Sequence, residues 1–270
     1  MTSAEVSAPD FIITREYRLF AEFCDAYRQA CYIGLCYGVP GVGKTVSARQ
    51  YAHWDELETL LGPAPHRSGG HPPRNSGRWQ TVLYTPRVTN TPRLIQREVD
   101  ALWGTVFGLA ARTSWYADRE TNPPPDPPDL VIVDEADRVK TSGLEQLRDI
   151  YDRRRVGMVL IGMPGLQKRL ARYPQLYSRV GFVHQFRPLS GQELHTVIER
   201  QSVQLGLGLA MDEQTDTAVV NAIARITGGN FRLVERLFAQ IQRVARINEL
   251  ATVTTEVVTV AGESLVLGPL

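Results

Sequence analysis

At 270 residues the chain has room for one α/β domain of about 150–200 residues and a smaller appendage. Its 43% hydrophobic and 22% charged content is that of an ordinary globule, and no apolar run approaches the roughly 18–20 residues of a membrane span. A net charge of only +1 restricts any nucleic-acid surface to a local patch. Arginine far outnumbers lysine, which is confined to Lys44, Lys140 and Lys168; the bias suits phosphate contacts and also fits genome composition alone. Cys24, Cys31 and Cys36 match no zinc spacing, and three cysteines without a leader argue against a disulfide framework. They read as buried thiols around the first strand of a cytoplasmic protein.

In chain order, residues 1–13 read as loosely ordered. Thr14 is placed to cap a helix through about Ala30, with Tyr17, Phe20, Ala21, Cys24 and Tyr27 on one stripe. "CYIGLCYG" (31–38) is a nearly all-apolar run ending in glycine, a strand buried on both faces. A helix is expected from Lys44 to about Leu61. "GPAPHRSGGHPPRNSGR" (62–78) cannot be regular and reads as a flexible insertion. "WQTVLYT" (79–85) is a second strand, and a helix follows over 90–108 with Pro92 in its first turn. "NPPPDPPD" (122–129) is a stiff connector to the strand "LVIVDEAD" (130–137). A helix over 141–155, a buried strand over 157–165 and a short strand over 182–189 complete the alternation. Alternating strands and helices imply a parallel sheet with right-handed crossovers. Helices are then expected over 190–206, 212–226 and 230–247, and the tail near 254–268 has approximate helical spacing. The expected divisions are an N-terminal segment and helix (1–30), a core (31–189), a helical lid (190–250) and a tail (251–270).

The chemistry begins at Gly38-Val39-Pro40-Gly41-Val42-Gly43-Lys44-Thr45, a G-x-x-x-x-G-K-[ST] loop between an expected strand and an expected helix. Glycines let main-chain amides from Gly38 to Val46 point at phosphate oxygens, and the helix N-terminus adds its dipole. Lys44 is placed to reach the β- and γ-phosphates of ATP, and Thr45 to ligate Mg²⁺. Asp134, ending the apolar run of "LVIVDEADR", suits holding Mg²⁺ through water; Glu135 suits polarising an attacking water. A second acid is unnecessary for small-molecule phosphorylation, so the Asp-Glu pair favours ATP hydrolysis.

This succession, followed by a Gly-x-Pro strand end, a Ser-Arg step and an all-helical segment with Gly-Gly-Asn-x-Arg, resembles the AAA+ ATPases. The resemblance implies an α/β P-loop core with a parallel sheet flanked by helices, plus a small helical lid. It assigns Arg179, in "LYSRVGFVHQF", or alternatively Arg172, as a finger reaching a neighbouring subunit's γ-phosphate. It assigns Arg232, in "TGGNFRLVERLF", as the lid arginine that touches phosphate in cis. The polar sensor position at the strand end reads Gly162-Met163-Pro164, where Met163 departs from the pattern and core packing is an equal reading. Over "VIVDEADRVKTSGLEQLRDI", "GMVLIGMPGLQKRL" and "QFRPLSGQEL" the chain resembles the AAA+ transposition regulators typified by TnsC, TniB and MuB. That resemblance implies a homo-oligomer, filament or ring, on double-stranded DNA. It implies a transposase partner, with a target-selection protein as a further candidate, and disassembly controlled by hydrolysis.

Charge speaks to DNA independently. From Gly62 to Arg97 there are six arginines and no acid. "TPRVTNTPR" (85–93) offers Arg87, Thr89, Asn90, Thr91 and Arg93 as phosphate partners, and nothing suggests base readout. A solvated arginine-rich surface is the competing reading. A replication initiator or helicase loader, and a signalling or secretion-linked switch acting on proteins alone, are the rival functions.

Overall fold

The computed structural model describes residues 11–61, 79–117, 126–204, 208–209, 213–250 and 252–265. The insertion read at 62–78, with Arg67, Arg74 and Arg78, lies outside the described residues, as do residues 1–10 and residues 122–125 of the proline-rich connector.

Five apolar runs form one all-parallel sheet: β1 (Ile33–Tyr37), β2 (Thr81–Tyr84), β3 (Leu130–Val133), β4 (Gly157–Gly162) and β5 (Val180–Gln185), in the order β2-β3-β4-β1-β5. β2, β3 and β4 are buried along their whole length, and β1 up to its last residue, as strands covered on both faces must be. β5 is an edge strand and leaves Phe182 and Val183 exposed. Around the sheet lie α1 (Arg15–Ala30), α2 (Lys44–Tyr51), α3 (Trp54–Leu61), α4 (Pro92–Ala117), α5 (Thr141–Arg154), α6 (Leu166–Leu170) and α7 (Pro174–Tyr177). The strand register places Tyr37 opposite Gly162 and Val133 opposite Leu160. The carboxyl ends of β1, β3 and β4 are therefore neighbours, the edge at which open α/β sheets bind ligands.

Several boundaries differ from the sequence reading. The helix expected from Lys44 to Leu61 is two helices, because His53 adopts a left-handed conformation (φ 49°) that ends α2. α4 runs through Gly108 to Ala117; neither Gly104 nor Gly108 has positive φ, so neither stops the helix. Cys24 and Cys36 are buried, whereas Cys31, at φ 51° after α1, is exposed. Burial pushes the Cys24 thiol well up.

The chain divides into two units by contacts. One holds Leu19–Pro40 and Lys44–Phe186; the other takes the start of α1 through Arg18, the loop Gly41–Gly43 and the chain from Arg187 onward. The second unit is built from α8 (Gly191–Gln204), α9 (Glu213–Thr227), α10 (Phe231–Ile247) and α11 (Thr255–Glu263). Its core gathers Leu194, Ile198, Ile223, Leu237, Phe238 and Ile241. The stretch from 251, read as a separate tail, belongs to this unit. β7 (Thr252–Val253) pairs in parallel with β6 (Gly208–Leu209), and Val257, Val258 and Ala261 are buried in the same core. At the start of α8 Glu193 reaches back to Ser190, accepting from its N–H at 3.0 Å and from its hydroxyl at 2.6 Å, which satisfies one of the helix's free main-chain donors.

Candidate nucleotide-binding site

The glycine-rich loop leaves the end of β1 under tight steric control. Gly38 donates its N–H to the Gly162 carbonyl at 3.3 Å, and a Cβ on Gly38 would lie 2.4 Å from the Phe186 carbonyl oxygen. Gly41 and Gly43 have φ of 83° and 107°, which an L side chain resists. At Gly41 a Cβ would also meet Asn230 Oδ1 at 2.5 Å, and its carbonyl accepts the Arg232 N–H at 3.0 Å. Val42 is buried and anchors the loop, while Val39, Pro40 and Val46 lie at the surface. Lys44, the first residue of α2, curls over the loop: Nζ donates to the Gly38 and Val39 carbonyls at 2.6 and 2.9 Å.

Thr45 and Asp134 are brought together. The Thr45 hydroxyl donates to Asp134 Oδ2 at 2.7 Å, and the Glu135 N–H donates to Oδ1 at 2.9 Å. Asp134 is 3% exposed. A buried carboxylate beside a hydroxyl, with a lysine and main-chain amides in the adjacent loop, is a donor set suited to a triphosphate and a hard divalent cation.

Glu135 sits at φ 52°, ψ 42°, a left-handed conformation that a non-glycine residue adopts at a cost of about 1–3 kcal/mol. Its carboxylate is paired with Arg138. Sequence reasoning passed over Arg138 and Asp137, although both stand within the same acidic motif. Asp137 Oδ2 accepts the Met163 N–H at 2.6 Å, while Arg169 donates to the Asp137 carbonyl at 2.8 Å and to the Val139 carbonyl. At the strand end expected to carry a polar sensor, it is thus the Met163 main chain that is tied to the acidic turn. The thioether side chain is 40% exposed, so the core-packing reading of Met163 does not hold.

Arg179 follows α7 and is engaged within its own chain. It holds Asp152 through Nε (2.7 Å) and Nη2 (2.9 Å) and donates to the Gln175 carbonyl. Arg148 also donates to Asp152, at 2.9 Å. Arg172 is exposed. Arg232, in the first turn of α10, is exposed, and the Asn230 side chain caps that helix by accepting the Leu233 N–H at 3.3 Å.

The loop between β2 and α4 corrects part of the expected phosphate-contacting set. Asn90 is buried, not surface-facing: its amide donates to the Arg87 carbonyl at 2.8 Å and the Arg138 carbonyl at 3.1 Å. The Thr91 hydroxyl accepts the Leu94 N–H at 3.2 Å and caps α4. Arg87 is exposed but pairs with Glu98 at 2.7 Å, so the acid-free window ends one residue before the acid that meets it. Glu98 also accepts from the Tyr84 hydroxyl, and burial together with this carboxylate drives the Tyr84 phenol well up. Thr89, Arg93 and Arg97 are exposed, as is Val88 at the loop apex.

Residues 27–170, just over half of the chain, match the AAA domain family. The chain belongs to the AAA family. This AAA protein is a nucleotide-binding ATPase by family, and its phosphate loop and Asp134–Glu135 turn lie within the matched region. It is 42% identical to a Staphylococcus aureus "Potential ATP-binding protein" over 96% of this chain and 97% of the relative. More distantly, it is 27% identical to the Mu-like prophage FluMu DNA transposition protein B of Haemophilus influenzae, covering 87% of this chain and 73% of that one. Among solved structures, the Thermotoga maritima RuvB Holliday junction branch migration motor superposes with a TM-score of 0.58 at 16% identity, covering 94% of this AAA protein and 70% of RuvB. The Aeropyrum pernix ORC2 protein in its ADP form gives 0.57 at 15% identity, covering 96% and 71%. These two likenesses establish the fold alone. No described helix of the AAA protein is long and apolar enough to cross a membrane.

Proposed function

We propose that this AAA protein is an ATP-dependent, DNA-binding regulator of transposition that assembles on duplex DNA and engages a transposase. The observation that carries the reading is its 27% identity, over 87% of its length, to a protein named for DNA transposition. In this reading the loop amides from Gly41 to Val46 and Lys44 hold the triphosphate of ATP, Thr45 and Asp134 hold Mg²⁺, and Arg232 contacts phosphate from the start of α10. The cation, when bound, supplies charge neutralisation at the phosphates. The pairing of exposed Thr45 with buried Asp134 supports that assignment, since a neutral hydroxyl and one carboxylate provide oxygen ligands without overcharging the site. Glu135 orients the attacking water, and Arg179, with Arg172 as the alternative, completes a neighbouring subunit's site. ATP therefore favours the assembled state, and its hydrolysis releases it.

DNA is met from the loop that follows β2. Arg87, Thr89 and Arg93 supply its phosphate contacts, and Arg97 extends the exposed basic surface along α4. Each contact is weak alone; repetition from subunit to subunit multiplies it along a duplex. The test is fluorescence anisotropy on unrelated duplexes across a salt series, with a slowly hydrolysed ATP analogue. Binding is expected to show little sequence preference and to weaken log-linearly with salt. The double variant Arg87→Ala, Arg93→Ala should bind the analogue normally, lose DNA and flatten the salt slope. Wild-type protein that ignores DNA at low salt with the analogue present would end this reading in favour of a switch acting on proteins. Equal binding by the double variant would move the DNA contacts elsewhere.

A further inference from the structure

Between α4 and α5 lies a cleft of about 350 Å³, lined by Gln96 and Asp100 of α4 and by Ile150, Arg153 and Arg154 of α5. Ligand pockets start at about that size. Ile150 is buried beneath it, and the polar walls are tied to one another. Gln96 Nε2 donates to Asp100 Oδ2 at 2.7 Å, and Arg154 Nη2 donates to Asp100 Oδ1 at 2.5 Å. Gln96 Oε1 accepts from Gln146 at 2.7 Å and from Arg153 Nη2 at 3.0 Å. Arg153 Nη2 also reaches Asp149 Oδ2 at 2.5 Å. The wall's acceptor oxygens are thus engaged, and what it has left over is donors. Arg153 Nη1, Arg154 Nε and Arg154 Nη1 make no hydrogen bond among the described residues, and the Arg153 side chain is 60% exposed. The Arg154 guanidinium lies over the Trp103 ring, 4.2 Å from its centroid. Gln96, Asp100, Trp103 and Phe107 follow one another at three- and four-residue steps and so share one face of α4. Phe107 is 39% exposed, so the polar cleft runs on into an aromatic strip. Every group named lies in the same unit of the fold.

We propose that the α4–α5 cleft docks a short segment of a protein partner that carries an acidic side chain beside an apolar one. The carboxylate takes the spare N–H groups of Arg153 and Arg154, and the apolar side chain lies against Trp103 and Phe107. Charge complementarity decides the first half. Two guanidiniums with donors to spare call for an anion, and their planar fork matches a carboxylate. The aromatic strip decides the second half, because a nucleic-acid backbone gains nothing from Phe107. Asp100 and Asp149 in the walls repel a run of phosphates, whereas a single carboxylate needs only the unused guanidinium edges. Trp and Arg are the residue types that dominate binding energy at protein–protein contacts. Here Arg154 is already stacked on Trp103 and held by Asp100, so it loses little freedom on binding. The inference uses none of the residues assigned to nucleotide or to DNA, and it stands whether or not those assignments hold.

The experiment pans phage-displayed random heptapeptides on the immobilised full chain and then measures fluorescein-labelled copies of the enriched sequences by anisotropy. Enriched sequences should carry Asp or Glu within two residues of Leu, Ile, Phe or Trp. Arg153→Gln and Arg154→Gln should each weaken the peptide about tenfold, the loss expected of one hydrogen bond to a charged group that water partly replaces. Exchanging the peptide's acid for its amide should cost as much on the wild-type chain and little on the double Gln variant, which a double-mutant cycle reads as direct contact. Trp103→Leu should weaken the peptide while leaving its preference for an acid. Both Gln variants should still bind an ATP analogue, since they alter surface pairs; were one to misfold, the acid-to-amide peptide on the wild-type chain still decides the matter. No enrichment would overturn the proposal, as would enriched peptides that bind both Gln variants as tightly as the wild type. A double Gln variant that keeps the peptide but loses duplex would overturn it in favour of DNA. One that keeps the peptide but loses self-association in sedimentation would overturn it in favour of a second copy of the chain.

Discussion

Replacing Thr45 with valine tests the centre of the site. The side chains are nearly isosteric, so the substitution exchanges a hydroxyl for a methyl without opening a cavity. Asp134 is 3% exposed and takes 2.7 Å and 2.9 Å hydrogen bonds from the Thr45 hydroxyl and the Glu135 N–H. Removing the first leaves a carboxylate oxygen against a methyl group. Hydrogen bonds to charged groups are worth about 1.5–3 kcal/mol. Thr45 is itself exposed, so water recovers part of the loss, and the lower half of that range, about 1.5–2 kcal/mol, is expected. At about 2–4 °C per kcal/mol for a protein of this size, Tm should fall by about 3–8 °C. Calorimetry on the nucleotide-free chain reads this directly, with Thr45→Ser as the control that keeps the hydroxyl. A second scan with ATP and Mg²⁺ separates structure from binding. A ligand at a hundredfold its Kd stabilises by about 2.7 kcal/mol, and the valine variant should gain distinctly less than wild type at equal concentration. If Thr45→Val melts with the wild type in both scans, the hydroxyl neither supports Asp134 nor serves the cation, and the site has been assigned wrongly. If it melts lower yet gains the full ligand increment, its role is structural only.

Further outcomes follow from the same geometry. Lys44→Ala should abolish ATP binding in calorimetric titration, because it removes the ammonium that Gly38 and Val39 hold over the loop. Glu135→Gln should bind ATP and fail to hydrolyse it, leaving the ATP-bound assembly persistent in sedimentation; a normal rate would return the base to another residue. Arg179→Ala should leave subunit affinity for nucleotide intact and cut hydrolysis by about 10³-fold or more, as fingers supplied in trans do. Full activity in Arg179→Ala would transfer the role to Arg172. Asp152→Asn should weaken the hold on Arg179 without touching the phosphate loop, so an assembled sample should gain hydrolysis while nucleotide affinity stays constant.

The phosphate loop, the acids Asp134 and Glu135 and the strands β1, β2, β3 and β4 were legible in the sequence. Each is a contiguous signal: glycines where amides must face inward, apolar runs where a strand is covered on both faces, carboxylates where such a run ends. Local signals fail where conformation is imposed from outside the segment. His53 breaks the helix after the loop without a glycine or proline, and Gly108 fails to stop α4. The stretch from Thr252 onward joins the helical unit because Val253, Val257, Val258 and Ala261 find a core there. Residue type likewise reveals a charge and not its partner. Arg87 meets Glu98 because α4 turns back past the loop, and Arg179 meets Asp152 because α5 and α7 pack together. Asn90, polar and in a loop, reads as a surface contact until the packed structure buries it between Arg87 and Arg138. What the sequence by itself determined is which groups are candidates to hold a triphosphate; tertiary structure decided which of the charged groups are already engaged, because burial and ion pairing depend on elements well apart in the chain meeting in the fold.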